Sequence, residues 1–194
     1  MTTVKELLDF FNYLDRRGFL REDLQCNPEH HVMVYLRDFY NGDKPTETQY
    51  VDLGLTSGTL WATCNVGASK PEKYGDYFTW GEAMELDCTL PTKEQIEELI
   101  KECASIWTEQ NGVHGRLFAG PNGNIMFLPA AGDHLGKSLY CCSDIYGDYW
   151  SSTLNDSNPN QAHYLSIDSE YVGLLYYRSV RVCGKPVRAV KNKE

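Results

Sequence analysis

Seven cysteines, at positions 26, 64, 88, 103, 141, 142 and 183, are the side chains here best suited to chemistry, as zinc thiolates, nucleophiles or disulfide partners. Zinc sites draw on Cys-x-x-Cys pairs that converge on one ion. No such pair occurs, and the adjacent Cys141 and Cys142 offer poor metal geometry. The reading that remains is free thiols packed as small hydrophobes. His30 and His31 form the other candidate ligand pair, but neighbours on a helix do not share a face, so both are expected in solvent. Glu94, Glu97 and Glu98 are the polar side of a helix rather than an acid–base pair. The chain has no G-x-S-x-G elbow, no H-E-x-x-H and no phosphate-binding glycine loop. The expectation is a non-enzymatic protein with no catalytic residue, no metal ligand and no cofactor.

Recognition chemistry is concentrated toward the C-terminus. Between His163 and Cys183 the expected outward positions hold Tyr164, Ser166, Asp168, Tyr171, Gly173, Tyr176, Tyr177, Ser179 and Cys183. With Tyr146, Leu175, Arg178 and Val182 they make up the candidate ligand-binding set. Tyrosine offers a wide amphipathic contact area with few torsions to freeze, and Ser and Gly add adaptability. Leu174-Leu175-Tyr176-Tyr177 would form an exposed apolar patch unless covered, and such patches mark binding sites. The expected partner is a protein or glycan.

Two kinds of element have to carry these residues. Residues 3–42 read as a helical pair. Thr3 and Glu6 form a capping box ahead of the stripe Val4, Leu7, Leu8, Phe11 and Leu14, and Gly18 ends it. Asn27-Pro28 opens a second helix with Val32, Tyr35, Leu36 and Phe39 on its apolar face, ending at Asn41-Gly42. Two such helices cannot bury enough surface alone, so they offer a face for docking or self-association. Residues 43–49 are polar and proline-bearing, a linker; the division is placed between a helical segment, 1–45, and a domain, 46–194.

From Tyr50 onward glycines, aromatics and short apolar runs alternate, with one further helix. Thr92 caps it, Gln95 closes the box, and Ile96, Leu99, Ile100 and Cys103 line its buried side. Turn signals at Asn111-Gly112, Pro121-Asn122-Gly123 and Gly132-Asp133 separate short strands such as 125–128 and 164–167. The fold class is therefore α+β, with few helices, short strands and long irregular loops. Trp61, Trp80, Trp107 and Trp150 are expected as core anchors, with one of Tyr149 and Trp150 inside and the other toward the ligand face. Gly54, Gly58, Gly67, Gly75 and Gly81 are expected at positive φ, and Arg188 as a buried tie between the chain ends.

Bulk properties narrow the partners. At 194 residues, 42% hydrophobic and 23% charged, the chain has ordinary globular composition. A net charge of −9 with dispersed basic residues argues against a nucleic-acid surface. No stretch approaches the ~20 apolar residues of a membrane span, and the start, Met1-Thr2-Thr3-Val4-Lys5-Glu6, lacks the apolar core of a secretory signal. Localisation stays open between the cytoplasm, a phage particle, export without an N-terminal signal and a mature form whose signal has been removed.

Six blocks, YVDLGLTSGTLWATCNVGA (50–68), YGDYFTWGE (74–82), LPTKEQIEEL (90–99), GPNGNIMFLPAAG (120–132), YWSST (149–153) and PVRAV (186–190), in this order resemble the "major paralogous domain" of Bacteroidetes and Fibrobacter. The resemblance implies a C-type-lectin-like fold, related to that of formylglycine-generating enzymes, over residues 50–190. Close relatives in that family are the diversified target proteins of retroelements that rewrite adenine positions in a C-terminal variable region. There YWSST is followed by a tract ending R-x-x-G-x-S-V-R. Here the end runs from Arg181 through Cys183, Gly184 and Lys185 to Val187-Arg188, with Pro186 in place of the Ser. Adenine randomisation of asparagine codons cannot give Lys, Gln, Trp or Met, and none occurs from 163 to 184; Glu170, also unreachable, would have to be fixed. An ordinary tyrosine-rich strand and loop accounts for the same residues.

Two other functions stay open. A calcium- or carbohydrate-binding adhesin domain of this broad fold would use a Glu-Pro-Asn-like tripeptide and Trp-Asn-Asp. Asn158-Pro159-Asn160 and Trp150-Ser151-Ser152 lack the carboxylate, and Asp156 with its neighbours is better read as a turn. An oxidase of the formylglycine-generating type needs a cysteine arrangement that Cys141-Cys142 and Cys183 do not match.

Overall fold

The computed structural model describes residues 48–135, 143–176 and 183–193, all within the compact unit Pro45–Glu194. The expected helices over 3–42, with His30 and His31, lie outside the described residues, as do Cys26, Cys141, Cys142 and tract residues Tyr177, Arg178, Ser179 and Val182.

Twelve strands and two helices are described: β1 (Tyr50–Asp52), β2 (Thr59–Ala62), β3 (Tyr77–Phe78), α1 (Trp80–Met84), α2 (Lys93–Glu102), β4 (Ala104–Gln110), β5 (Val113–Ala119), β6 (Ile125–Pro129), β7 (His134–Leu135), β8 (Tyr146–Asn155), β9 (Asn158–Asp168), β10 (Val172–Leu175), β11 (Cys183–Pro186) and β12 (Val190–Asn192). They form four small three-stranded sheets, β1-β2-β12, β10-β9-β8, β3-β11-β7 and β4-β5-β6, and every strand pairing within them is antiparallel. This is an α+β arrangement dominated by strands.

Local chemistry explains the elements. In α2, Thr92 Oγ1 accepts from the Gln95 N–H at 3.3 Å and Gln95 Oε1 accepts from the Thr92 N–H at 2.9 Å, closing the expected box. Ile96 and Leu99 are buried on its inner side. Asn111 (φ 52°) and Gly112 (φ 82°) make the two-residue turn between β4 and β5; positive φ at both central positions matches the twist of the flanking strands. A second helix that the sequence reading omits, α1, is capped in the same way, by Thr79 and Glu82. Gly81 lies in that helix, so its expected positive φ is not found; Gly54, Gly58, Gly67 and Gly75 do have it.

Two apolar clusters flank the β8–β9 pair. One gathers Leu53, Trp61, Ile96, Leu99, Phe118, Leu128, Tyr149, Leu165 and Ile167; the other Phe78, Trp80, Trp150, Ala162, Tyr164, Cys183 and Val187. Tyr149 and Trp150 are thus both buried, because the sheet is covered on its two faces, and neither looks out toward a ligand. Trp61, Trp80 and Trp150 are core residues as expected, whereas Trp107, near the β4–β5 hairpin end, is only half-buried. Arg188 is buried and donates from Nε to Asn65 Oδ1 (2.9 Å), from Nη1 to the Ala62 carbonyl (3.0 Å) and from Nη2 to the Phe127 carbonyl (3.0 Å). It holds the C-terminal run to β2 and β6. No helix among the described residues is long and apolar enough to cross a membrane.

Candidate ligand surface

The described part of the tyrosine tract is the hairpin β9–β10, with Tyr164 opposite Leu175, Leu165 opposite Leu174, Ser166 opposite Gly173 and Ile167 opposite Val172. On the other side β8 sets Tyr146 opposite Asp168, Asp148 opposite Ser166 and Trp150 opposite Tyr164. Cross-strand partners share a face. Tyr146, Tyr164, Ser166, Asp168, Gly173 and Leu175, six of the candidates, therefore do lie on one face, as the period of two requires.

That face is not open along its length. Strand β11 supplies Lys185, fully buried, whose Nζ stands 4.4 Å from the centre of the Tyr164 ring and 5.4 Å from that of Trp150. Tyr164 is 2% exposed and meets Trp150 edge to face, ring centres 6.4 Å apart, so its expected outward position is corrected to a core one. Cys183, on β11 itself, is buried in the same cluster, and the expected outward position fails there too. Gly173 is covered as well: a Cβ there would lie 2.0 Å from the Tyr171 hydroxyl, so its missing side chain gives Tyr171 room to cross it.

Asp168 builds the turn. Its Oδ1 accepts from the Glu170 N–H at 2.7 Å and the Tyr171 N–H at 2.6 Å, which leaves less of the carboxylate for a ligand than the sequence suggests. Arg116 steadies the same corner, donating from Nη2 to the Asp168 carbonyl at 2.8 Å. Of the described candidates, Tyr171 and Tyr176 are the exposed ones, at 42% and 47%, while Tyr146, Ser166, Asp168 and Leu175 are partly exposed. The His163 ring lies edge-on to Tyr176, 5.4 Å between centres.

Beneath this surface is an ionic cluster that the sequence reading missed. Lys185 Nζ is 2.8 Å from Asp148 Oδ2 and 2.9 Å from Asp133 Oδ2, and the Tyr146 hydroxyl donates to Asp133 Oδ1 at 2.5 Å. Burial pushes the Asp148 pKa up, opposed by Lys185 and by a hydrogen bond with Ser166. For the less buried Asp133 the same burial is outweighed by the Lys185 charge and the Tyr146 hydroxyl, which hold it below the usual carboxylate range. The signal was in the sequence as three dipeptides, Gly132-Asp133, Gly147-Asp148 and Gly184-Lys185, each setting a charge beside a residue that allows close backbone approach. Gly132 and Gly147 do bridge, and Gly184 pairs with His134. With its ammonium enclosed by two carboxylates and two rings, Lys185 is a staple rather than a nucleophile.

The remaining chemistry is sparse. Burial pushes the Cys103 thiol up to about 11, so it stays protonated and unreactive. No group of three His, Cys, Asp or Glu among the described residues could hold a metal ion. Around Asn158-Pro159-Asn160 the side chains serve the turn: Asn155 Oδ1 accepts from the Ser157 N–H at 3.0 Å and Asn158 Oδ1 from the Asn160 N–H at 3.2 Å. Compared with protein-family models, with curated proteins and with solved structures, the chain matches none.

Proposed function

We propose that this chain is a non-enzymatic ligand-binding protein on a C-type-lectin-like scaffold, its ligand surface centred on the C-terminal tract and diversified by a retroelement. The observation that carries the reading is the contrast within one hairpin: Tyr171 and Tyr176 are exposed while its residues Tyr164, Leu165 and Ile167 are buried. Rigid support under exposed tyrosines is the arrangement that lets a surface exchange side chains without losing its fold. The ligand surface comprises Tyr171 and Tyr176, flanked by Ser166, Leu175 and Tyr146; Tyr164, Gly173 and Cys183 support it.

The deciding experiment is to sequence the DNA flanking the gene. The expected result is a reverse-transcriptase gene and a near-repeat of the segment encoding 150–190, differing at adenines. Flanking DNA without either would remove diversification from the reading. Binding itself is tested by displaying a library varied at Ser166, Tyr171, Leu175 and Tyr176 against lysozyme as an arbitrary protein target. Folded binders are expected, and a library that loses its fold would overturn the assignment of this surface.

A further inference from the structure

Strand β4 is a seven-residue sheet edge. It lies at the margin of the order β4-β5-β6, and its seven residues pair one to one with β5, from Ala104 opposite Ala119 to Gln110 opposite Val113, with no bulge. Edge strands are normally blunted by prolines, lysines, bulges or a covering element, because their free N–H and C=O groups template further pairing. Residues 104–110, Ala-Ser-Ile-Trp-Thr-Glu-Gln, contain neither proline nor lysine, and their only charge is Glu109. The other long edges are protected. The ten-residue β8 is buried from Gly147 to Ser151, and outside its pairing with β9 the Ser152 N–H donates to the Pro91 carbonyl and the Tyr146 carbonyl accepts from the Gly132 N–H. The outer side of β6 receives Arg188 at the Phe127 carbonyl and ends in Pro129. The four-residue β10 packs beside α2. On β4, Ile106 stands 62% exposed.

We propose that β4 is a self-association surface, pairing antiparallel with β4 of a second copy of this chain about a twofold axis at Trp107. The strand is self-complementary in that register. Trp107 opposes its own counterpart, Ile106 opposes Thr108, Ser105 opposes Glu109 and Ala104 opposes Gln110. No like charges meet, and each carboxylate faces a hydroxyl. The two Ile106 side chains lie on the same face as diagonal neighbours, within reach of each other. The twofold makes both partners use the same patch, so the contact closes as a dimer instead of growing into a fibre. A seven-residue strand spans about 24 Å, a strip smaller than the ~800 Å² per partner of a standard stable interface. The dimer is therefore weak and concentration-dependent, and since each chain carries a net charge of −9, added salt tightens it.

Sedimentation of the full-length chain from micromolar to millimolar concentration, at low and high salt, tests this. The expected result is a reversible monomer–dimer equilibrium that strengthens with salt. Ile106→Lys should abolish the dimer and leave the melting temperature unchanged, because that side chain is already mostly in water. Ile125→Lys, equally exposed but outside β4, should leave the equilibrium as it is. A chain that stays monomeric at every concentration overturns the proposal, even if β4 then captures an added extended peptide. So does a dimer that survives Ile106→Lys, or one that Ile125→Lys disrupts.

Discussion

Trp150 and Tyr164 are buried, whereas Tyr171 and Tyr176, further along the same three-stranded region, are exposed. Emptying a buried aromatic site costs ~3–5 kcal/mol, whereas exposed substitutions usually stay within ~0.5 kcal/mol. Trp150→Ala and Tyr164→Ala should each lower stability by an amount in the first range, and Tyr171→Ala with Tyr176→Ala by about 1 kcal/mol or less together. Urea titrations of the variants check this; a tyrosine pair as costly as Trp150 would mean that Tyr171 and Tyr176 are structural. At the β4–β5 hairpin, His114 Nδ1 lies 2.9 Å from Asp144 Oδ2, and the hydrogen bond to Asp144 raises the imidazole pKa. A raised folded-state value means the contact stabilises fully below the unfolded value, ~6.5, and fades as pH rises through the folded one. NMR titration of His114 should give a pKa above that reference, and Asp144→Asn should bring it down. An unchanged value in the variant would remove Asp144 as the cause.

The elements differ in how much of themselves they wrote into the sequence. Helix α2 was legible because its cap, box and apolar stripe all lie between Thr92 and Cys103. Helix α1 carries the same box in Thr79 and Glu82 but is too short to display a stripe. In β9 the period of two correctly placed Tyr164, Ser166 and Asp168 on one face, yet alternation cannot say whether a face meets water or another strand. Here β11 crosses it, brought from beyond the end of β10, and that contact is tertiary information. Lys185 is what holds the crossing, so replacing it isolates this step. Lys185→Met should cost ~3–5 kcal/mol at neutral pH by leaving the Asp148 carboxylate buried without its cation. Because burial already raises the Asp148 pKa, the deficit should shrink on acidification as that carboxylate takes up a proton. Adding Asp148→Asn should restore part of the loss. Melting curves of the single and double variants across pH measure it, and a deficit independent of pH would point to packing alone.

At the scale of the whole molecule, Pro45–Glu194 forms a compact unit. Among the described residues the two apolar clusters run from Val51 to Val190, and β12 returns to pair with β2, Val190 opposite Trp61. The Arg188 guanidinium, with partners at Asn65, Ala62 and Phe127, locks that return from inside. The polar, proline-bearing stretch 43–49, read from the sequence as a linker, runs directly up to β1, the first described strand. Limited proteolysis should therefore cut in or near it, and residues 48–194 alone should melt cooperatively with near-ultraviolet circular dichroism intact. The reason is that folding draws on contacts within 48–193, and a two-state melt needs a closed core rather than a full-length chain. Removing Val190 to Glu194 from the same fragment should do the opposite. It deletes β12, exposes Trp61 and takes away the strand that joins the two ends, so cooperativity should be lost although only five residues are gone. If instead the 48–194 fragment loses its tertiary signal while that C-terminal trimming is tolerated, the N-terminal segment supplies core contacts and the closure by β12 is dispensable.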